Sequence, residues 1–266
     1  MTVWLLSYVA LGLASGFIAG LFGVGGGLTI VPILLLLFQA QGFPVDQVMH
    51  ISLGTAMATI VVTSISSMRA HHQHGAVRWD IFRGMAPGLV AGTLVGSLFA
   101  SRVPTHSLAI AFTGIVYWAS LQMLLDFKPK PTRQLPGAGG LIGVGGLIGG
   151  VSSLVAAGGG FLSVPFMVLC NINIRQAVGT SAALGFPIAA AGVIGYIVGG
   201  WSAADLPGPN LGFIYLPAFL GVVLATIFTA PVGARVANRL PVKQLKRAFG
   251  AMLALLATKM LWTLIG

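Results

Sequence analysis

The stretch GFIAGLFGVGGGLTIVP (residues 16–32) decides how this chain folds, because its second half is written twice. GGGLTIVP (25–32) returns as GGGFLSVP (158–165), and each copy interrupts an apolar run too long for one membrane helix. No charge occurs from Met1 to Val45, and none from Gln134 to Ile174. A straight helix over residues 3–40 would be about 57 Å long at ~1.5 Å per residue, against about 30 Å of bilayer hydrocarbon. Successive glycines have weaker helix propensity than any residue but proline, so both runs break there.

The echo extends outward from the breaks. Leu53-Gly54-Thr55-Ala56 matches Val178-Gly179-Thr180-Ser181. At a constant offset of 137, Gly96, Arg102, Pro104, Leu108, Ala111, Phe112 and Met123 recur as Gly233, Arg239, Pro241, Leu245, Ala248, Phe249 and Met260. The expected fold is therefore an all-α integral membrane protein of two homologous halves, each a Gly-broken helical hairpin plus three transmembrane helices. The first repeat takes residues 1–127, with the broken helix at 3–40 and spans at 48–68, 84–101 and 107–126. A cytoplasmic linker covers 128–137. The second repeat takes 138–266, with the broken helix at 138–171 and spans at 176–199, 211–233 and 248–264. Internal repeats with interrupted helices are common in secondary transporters.

Composition supports the membrane reading and removes other classes. Apolar residues make up 56% of the 266 and charged residues 7%, against about 25% charged in soluble domains. The net charge of +10 sits in short loops between apolar runs, where it sets orientation rather than recognising nucleic acid. Cys170 is the single cysteine, which excludes an intramolecular disulfide and any multi-thiolate metal site. No Lys or Arg precedes the first apolar run, so that run is expected to stay as a membrane helix rather than serve as a signal peptide.

Charge also separates two topologies. If each broken run crosses the membrane once, the 14 Lys and Arg residues divide seven against seven. If each goes in and returns, Arg102 and Lys259 fall on one side and the other twelve on the opposite side. The positive-inside rule favours the second arrangement, makes the twelve cytoplasmic, puts both termini outside and turns the halves into inverted repeats.

Broken helices bare backbone N–H groups at a helix start, where the helix dipole favours anions. The candidate binding residues are therefore Gly25, Gly26 and Gly27 with Thr29, and Gly158, Gly159 and Gly160 with Ser163. Close helix packing is the other use of such glycines. Ser52, Thr55, Thr180 and Ser181 offer hydroxyl donors, or cap and back-bond their own helices. His50 and Arg175 sit four residues before Gly54 and Gly179, at helix mouths where an ionisable group is a functional candidate. The alternatives are a hydrated loop histidine and an interfacial arginine. The run Arg69-Ala70-His71-His72-Gln73-His74 has no nearby acid but Asp80, and reads as a solvated loop beside lipid headgroups rather than a metal cluster.

GVGGG (23–27) lacks the Lys-Ser/Thr of a nucleotide-binding loop. The four acidic residues, Asp46, Asp80, Asp126 and Asp205, all stand at span edges. That argues against paired-carboxylate catalysis and against an intramembrane carboxylate relay. Neither a cofactor nor a metal is implied, and the chain is not read as an enzyme.

At GFIAGLFGVGGGLTIVP (16–32), HISLGTAMATIV (50–61), HHQHGAVRW (71–79), GGGFLSVP (158–165) and AVGTSAALG (177–185), the chain resembles the sulfite exporter TauE/SafE family of membrane permeases. The resemblance covers essentially the whole chain. It implies secondary transport, with export as the expected direction, of sulfite, a sulfonate or a related organic acid in a bacterial inner membrane. Its expected partners are that anion, the lipid bilayer, a proton as coupling ion and a second copy of the chain in a homo-oligomer. A membrane enzyme or assembly factor for sulfur or metal chemistry, and an anion channel, are the competing classes. One departure from the duplication stands out. SSLVAAGGG (152–160) replaces the glycine-rich lead-in AGLFGVGGG (19–27).

Overall fold

The computed structural model describes residues 2–22, 26–125, 132–203, 206–237 and 242–265. Ten helices account for most of it: α1 (Thr2–Phe22), α2 (Gly27–Ala40), α3 (Val48–Gln73), α4 (Trp79–Ala100), α5 (Thr105–Leu124), α6 (Ala138–Val155), α7 (Gly160–Leu169), α8 (Ile174–Gly200), α9 (Leu216–Ala237) and α10 (Val242–Ile265). Five of them, α3, α4, α5, α6 and α8, are long and apolar enough to cross a membrane. The protein is a multi-pass helical membrane protein.

Two local differences from the sequence reading have clear causes. The all-α class holds, with one short ribbon before α9: β1 (Asn210–Leu211) pairs antiparallel with β2 (Ile214–Tyr215), and α9 begins only at Leu216. Gly212 turns this ribbon with a left-handed φ of 55°, which a side chain would resist. The basic and histidine-rich run 69–73 is the last turns of α3 rather than a loop. Nothing before Gly75, whose φ is 64°, disfavours helix strongly enough to stop it.

Packing repeats between the halves. α1 lies along α9 and α6 along α4; α3 packs on α8, α5 on α10, α2 on α3 and α7 on α8. Exchanging the halves turns each contact in this set into another member of it. Most of α3 and α8 is buried inside the protein, whereas α4, α5 and α6 leave most of their apolar windows exposed. The antiparallel pair α3/α8 is thus the axis. Outward-facing Leu147, Phe99 and Trp118 belong to the surface a bilayer would cover.

The two ends of the α3/α8 axis differ. Where α3 begins, Tyr8, Phe38, Phe43 and Tyr215 form an aromatic cluster with ring centroids 4.7–6.2 Å apart. The Tyr8 hydroxyl and the Gln41 amide join there at 2.6–2.8 Å, tying early α1 to the end of α2. At the other end, the N–H groups of Thr132 and Arg133 donate to Leu169 O, tying the approach to α6 to the end of α7.

Candidate functional site

Both breaks adopt one geometry. Gly26 (φ 72°) precedes α2 and Gly159 (φ 77°) precedes α7, each left-handed. Each carbonyl receives the third and fourth N–H of its half-helix: Thr29 and Ile30 donate to Gly26 O, Leu162 and Ser163 to Gly159 O, all at 2.8–3.1 Å. Among the described residues the N–H groups of Gly160 and Phe161 have no acceptor. These are the free donors that a helix start leaves.

The breaks meet at mid-depth. A Cβ at Gly27 would collide with the Ala156 carbonyl and approach Ile60 of α3, and a Cβ at Gly158 would lie 3.6 Å from Gly185 of α8. Ile60 and Gly185 are near the midpoints of their helices. Gly25 lies outside the described residues.

The hydroxyls divide into groups. Ser163 donates to Ser181 Oγ at 2.8 Å, both side chains buried, which leaves the Ser181 proton free to donate onward. Thr29 donates to Gly26 O (2.7 Å) and Ser52 to Val48 O (2.8 Å), each within its own helix. Thr55 accepts the Tyr215 N–H (3.0 Å) and Thr180 accepts the Arg78 N–H (2.9 Å). Arg78 is the N-cap of α4 and Tyr215 directly precedes α9. The paired Gly-Thr motifs thus clasp matching loops. A Cβ at Gly54 would strike Phe213 O, and one at Gly179 would strike Ala76 O.

His50 is buried rather than hydrated. Its Nε2 lies 3.0 Å from Val103 O and 3.2 Å from Ala100 O, and its ring stacks on Phe213 at 5.0 Å. It ties the α4–α5 turn to the start of α3. Arg175 is exposed in the first turn of α8, with its backbone N–H capped by Asn173. The structure therefore gathers Gly26, Gly27, Thr29, Gly158, Gly159, Gly160, Ser163 and Ser181 at the breaks, and sets His50, Ser52, Thr55, Thr180 and Arg175 away from them.

A cavity of about 680 Å³ reaches the second break. Gly158, Ser181 and Gly185 line it at mid-depth; Ala19, Thr226 and Ile227 line its α1 and α9 walls. Along α3 its wall runs from Ile60 to Gln73, about 20 Å at ~1.5 Å per residue. Arg69, His71 and Gln73 stand at the far end of that wall, with Ser64, Ser66 and Ser67 between. Nearby Arg78 is compensated, because its hydrogen bonds to Asp80 raise its pKa and hold the pair together. Arg69 is the cavity's lysine-or-arginine charge. The sequence places Arg69, His71 and Gln73 in a run read as a solvated loop, and does not single out Ser64, Ser66 and Ser67. The signal was available as Thr63-Ser64-Ile65-Ser66-Ser67 ahead of Arg69, a hydroxyl-rich turn inside an otherwise apolar helix.

Two broken helices abutting at mid-depth, between long buried helices and beside a polar-ended cavity, define a membrane transporter by class. The chain belongs to the sulfite exporter TauE/SafE family, whose profile matches residues 8–260. A probable membrane transporter protein of Haemophilus influenzae is 38% identical, with 98% of this chain and 99% of the relative aligned. The probable membrane transporter protein YdhB of Bacillus subtilis is 26% identical over 88% of this chain and 90% of its own. Another probable membrane transporter protein, from Xylella fastidiosa, is 24% identical over 93% and 91%. No solved structure matches the chain.

Proposed function

We propose that the protein is a secondary transporter of a small anion such as sulfite, a sulfonate or a related organic acid, working by alternating access between two inverted repeats. The carrying observation is the cavity that leads from Arg69 and His71 to Gly158 and the Ser181 hydroxyl at the second break, next to the start of α7, whose Gly160 and Phe161 amides have no acceptor among the described residues. An oxyanion gains charge-assisted hydrogen bonds from such donors, and the α7 dipole adds to them.

The inverted arrangement is supported by the two ties at the ends of the broken pairs, Tyr8 to Gln41 and Thr132/Arg133 to Leu169. Each brings a broken pair back beside its own beginning. Twelve Lys and Arg then share one side, taken as cytoplasmic. The cavity opens to that side, and the aromatic cluster closes the other. The direction proposed is export across a bacterial inner membrane, in keeping with the family resemblance.

Counterflow of labelled sulfite, an alkanesulfonate and a carboxylate in proteoliposomes tests this reading. Saturable exchange of at least one anion, absent from empty liposomes, is expected. Conductance without saturation or exchange would make the protein a channel and defeat the proposal.

A further inference from the structure

The two halves correspond position by position. α1 maps onto α6 at an offset of 133 (Gly26 to Gly159), α3 onto α8 at 125 (Gly54 to Gly179) and α4 onto α9 at 137 (Gly96 to Gly233). The packing keeps these offsets. A Cβ at Gly12 of α1 would lie 2.5 Å from Val222 O of α9, and one at its counterpart Gly145 of α6 would lie 2.5 Å from Met85 O of α4. Thr55 holds the Tyr215 N–H as Thr180 holds the Arg78 N–H. The cavity does not repeat. It is walled by α1, α3, α8 and α9, and the corresponding space between α6, α8 and α4 is closed.

Val62, Thr63, Ser64, Ser66 and Ser67 of α3 line the cavity. Their counterparts on α8, Pro187, Ile188, Ala189, Ala191 and Gly192, are all buried. α4 lies against the same helix one turn further on: a Cβ at Gly195 would collide with Ser97, and one at Gly199 with Ser101. Tyr196, the counterpart of the cavity's His71, is buried and donates its hydroxyl to Ser153 O of α6 at 2.9 Å. Two buried hydroxyls in this closed seam, Thr93 Oγ1 and Ser152 Oγ, have no hydrogen-bond partner among the described residues. Such groups are unfavourable, and native folds rarely keep them without a reason. Their counterparts are Ala230 and Ala19, and both of those line the open cavity. The orphaned hydroxyls thus occupy the positions that an opened seam would wet.

We propose that a second path for the anion, closed in this structure, runs between α4, α6 and α8 from the second break toward the aromatic end of the α3/α8 axis, lined by Thr93 and Ser152 and latched by Tyr196. Ser152 Oγ borders the break itself, 3.9 Å from the Cβ position of Gly159. In the alternate state α4 withdraws from α8, water and the anion reach both hydroxyls, and α9 closes over Ala19 and Ala230. The two openings exclude each other, since a passage open at both ends would let the gradient run down. The path rests on the alternating-access reading above, but not on which anion is carried.

Cysteine reactivity in a Cys170→Ala background reads both paths. In the purified protein without substrate, Ala230→Cys should react readily with a small charged thiol reagent, and the near-isosteric Thr93→Cys and Ser152→Cys should not. Adding Tyr196→Phe, which removes the latch, should speed Thr93→Cys and Ser152→Cys by about fivefold or more without speeding Ala230→Cys. Gly195→Ala, which wedges α4 away from α8, should act in the same direction. Acceleration at all three sites in both backgrounds would mean general loosening and overturn the proposal. Unreactive Thr93→Cys and Ser152→Cys in both backgrounds would overturn it too. Counterflow in proteoliposomes is read separately. No exchange of sulfite, sulfonate or carboxylate would defeat the anion reading, while the labelling, which needs no substrate, still decides the path.

Discussion

Arg69 and Arg175 are both exposed cations near the same end of the α3/α8 axis, but only Arg69 lines the cavity. Under the proposed function, Arg69→Gln should weaken apparent anion affinity from the cavity side by about 5–30-fold, or ~1–2 kcal/mol. Arg175→Gln should leave it unchanged at equal expression. Equal losses in both variants, measured by side-specific transport in proteoliposomes, would mean that the arginines act through the general field of that face. At the break, Gly159 holds φ 77° and a Cβ there would lie 2.6 Å from Ile188 Cδ1. Gly159→Ala should therefore lower stability by about 1–3 kcal/mol and reduce transport, and Gly159→Leu should abolish transport while some protein remains in the membrane. Unaltered melting and exchange in Gly159→Ala would show that another backbone arrangement serves equally well.

Between elements, the clasps at Thr55 and Thr180 do the work that sequence alone left divided between substrate binding and capping. Each hydroxyl accepts the N–H next to a helix start, so Thr180→Val or Thr55→Val would strand a part-buried donor. A loss of about 1–3 kcal/mol in unfolding free energy is expected from each, with Ser largely restoring it. A Val variant as stable as wild type would mean that water replaces the hydroxyl. The contrast with the breaks explains what was legible beforehand. Glycine triplets, matched prolines and apolar run lengths speak about backbone, and backbone propensity is local, so the breaks and the repeat could be read from residues 16–32 and 158–165. Which hydroxyl meets a loop, a neighbour or a cavity depends on partners over a hundred residues away, as with Arg78 and Thr180. Ser66 and Thr55 are alike in sequence terms and differ only in what packs beside them. The polar run 69–73 misled for a related reason: polarity marks solvent, whereas helix ends where the backbone must turn, here at Gly75.

At the scale of the molecule, the halves are not independent domains laid side by side. The first helix of each half packs along the third full-length helix of the other, α1 on α9 and α6 on α4, so neither half buries its own broken helix alone. Such an exchange lets two similar units swap roles around the α3/α8 axis, which is what alternating access requires. It requires the same faces to be presented in opposite membrane directions, and the charge division is the reason to expect that here. With twelve of fourteen Lys and Arg on one side, positive-inside bias would be strong, whereas single crossings by the broken runs would leave seven against seven and no bias. Cysteines appended to either terminus should therefore react with an impermeant thiol reagent on intact cells, and a cysteine at exposed His74 should react only after permeabilisation. The native thiol does not blur the readout, since Cys170 is buried and Cys170→Ala removes it. Labelling of His74→Cys on intact cells with both termini protected would invert the whole assignment and turn the cavity outward. Labelling of one terminus only would require an odd number of crossings, and the inverted-repeat reading would fall with it.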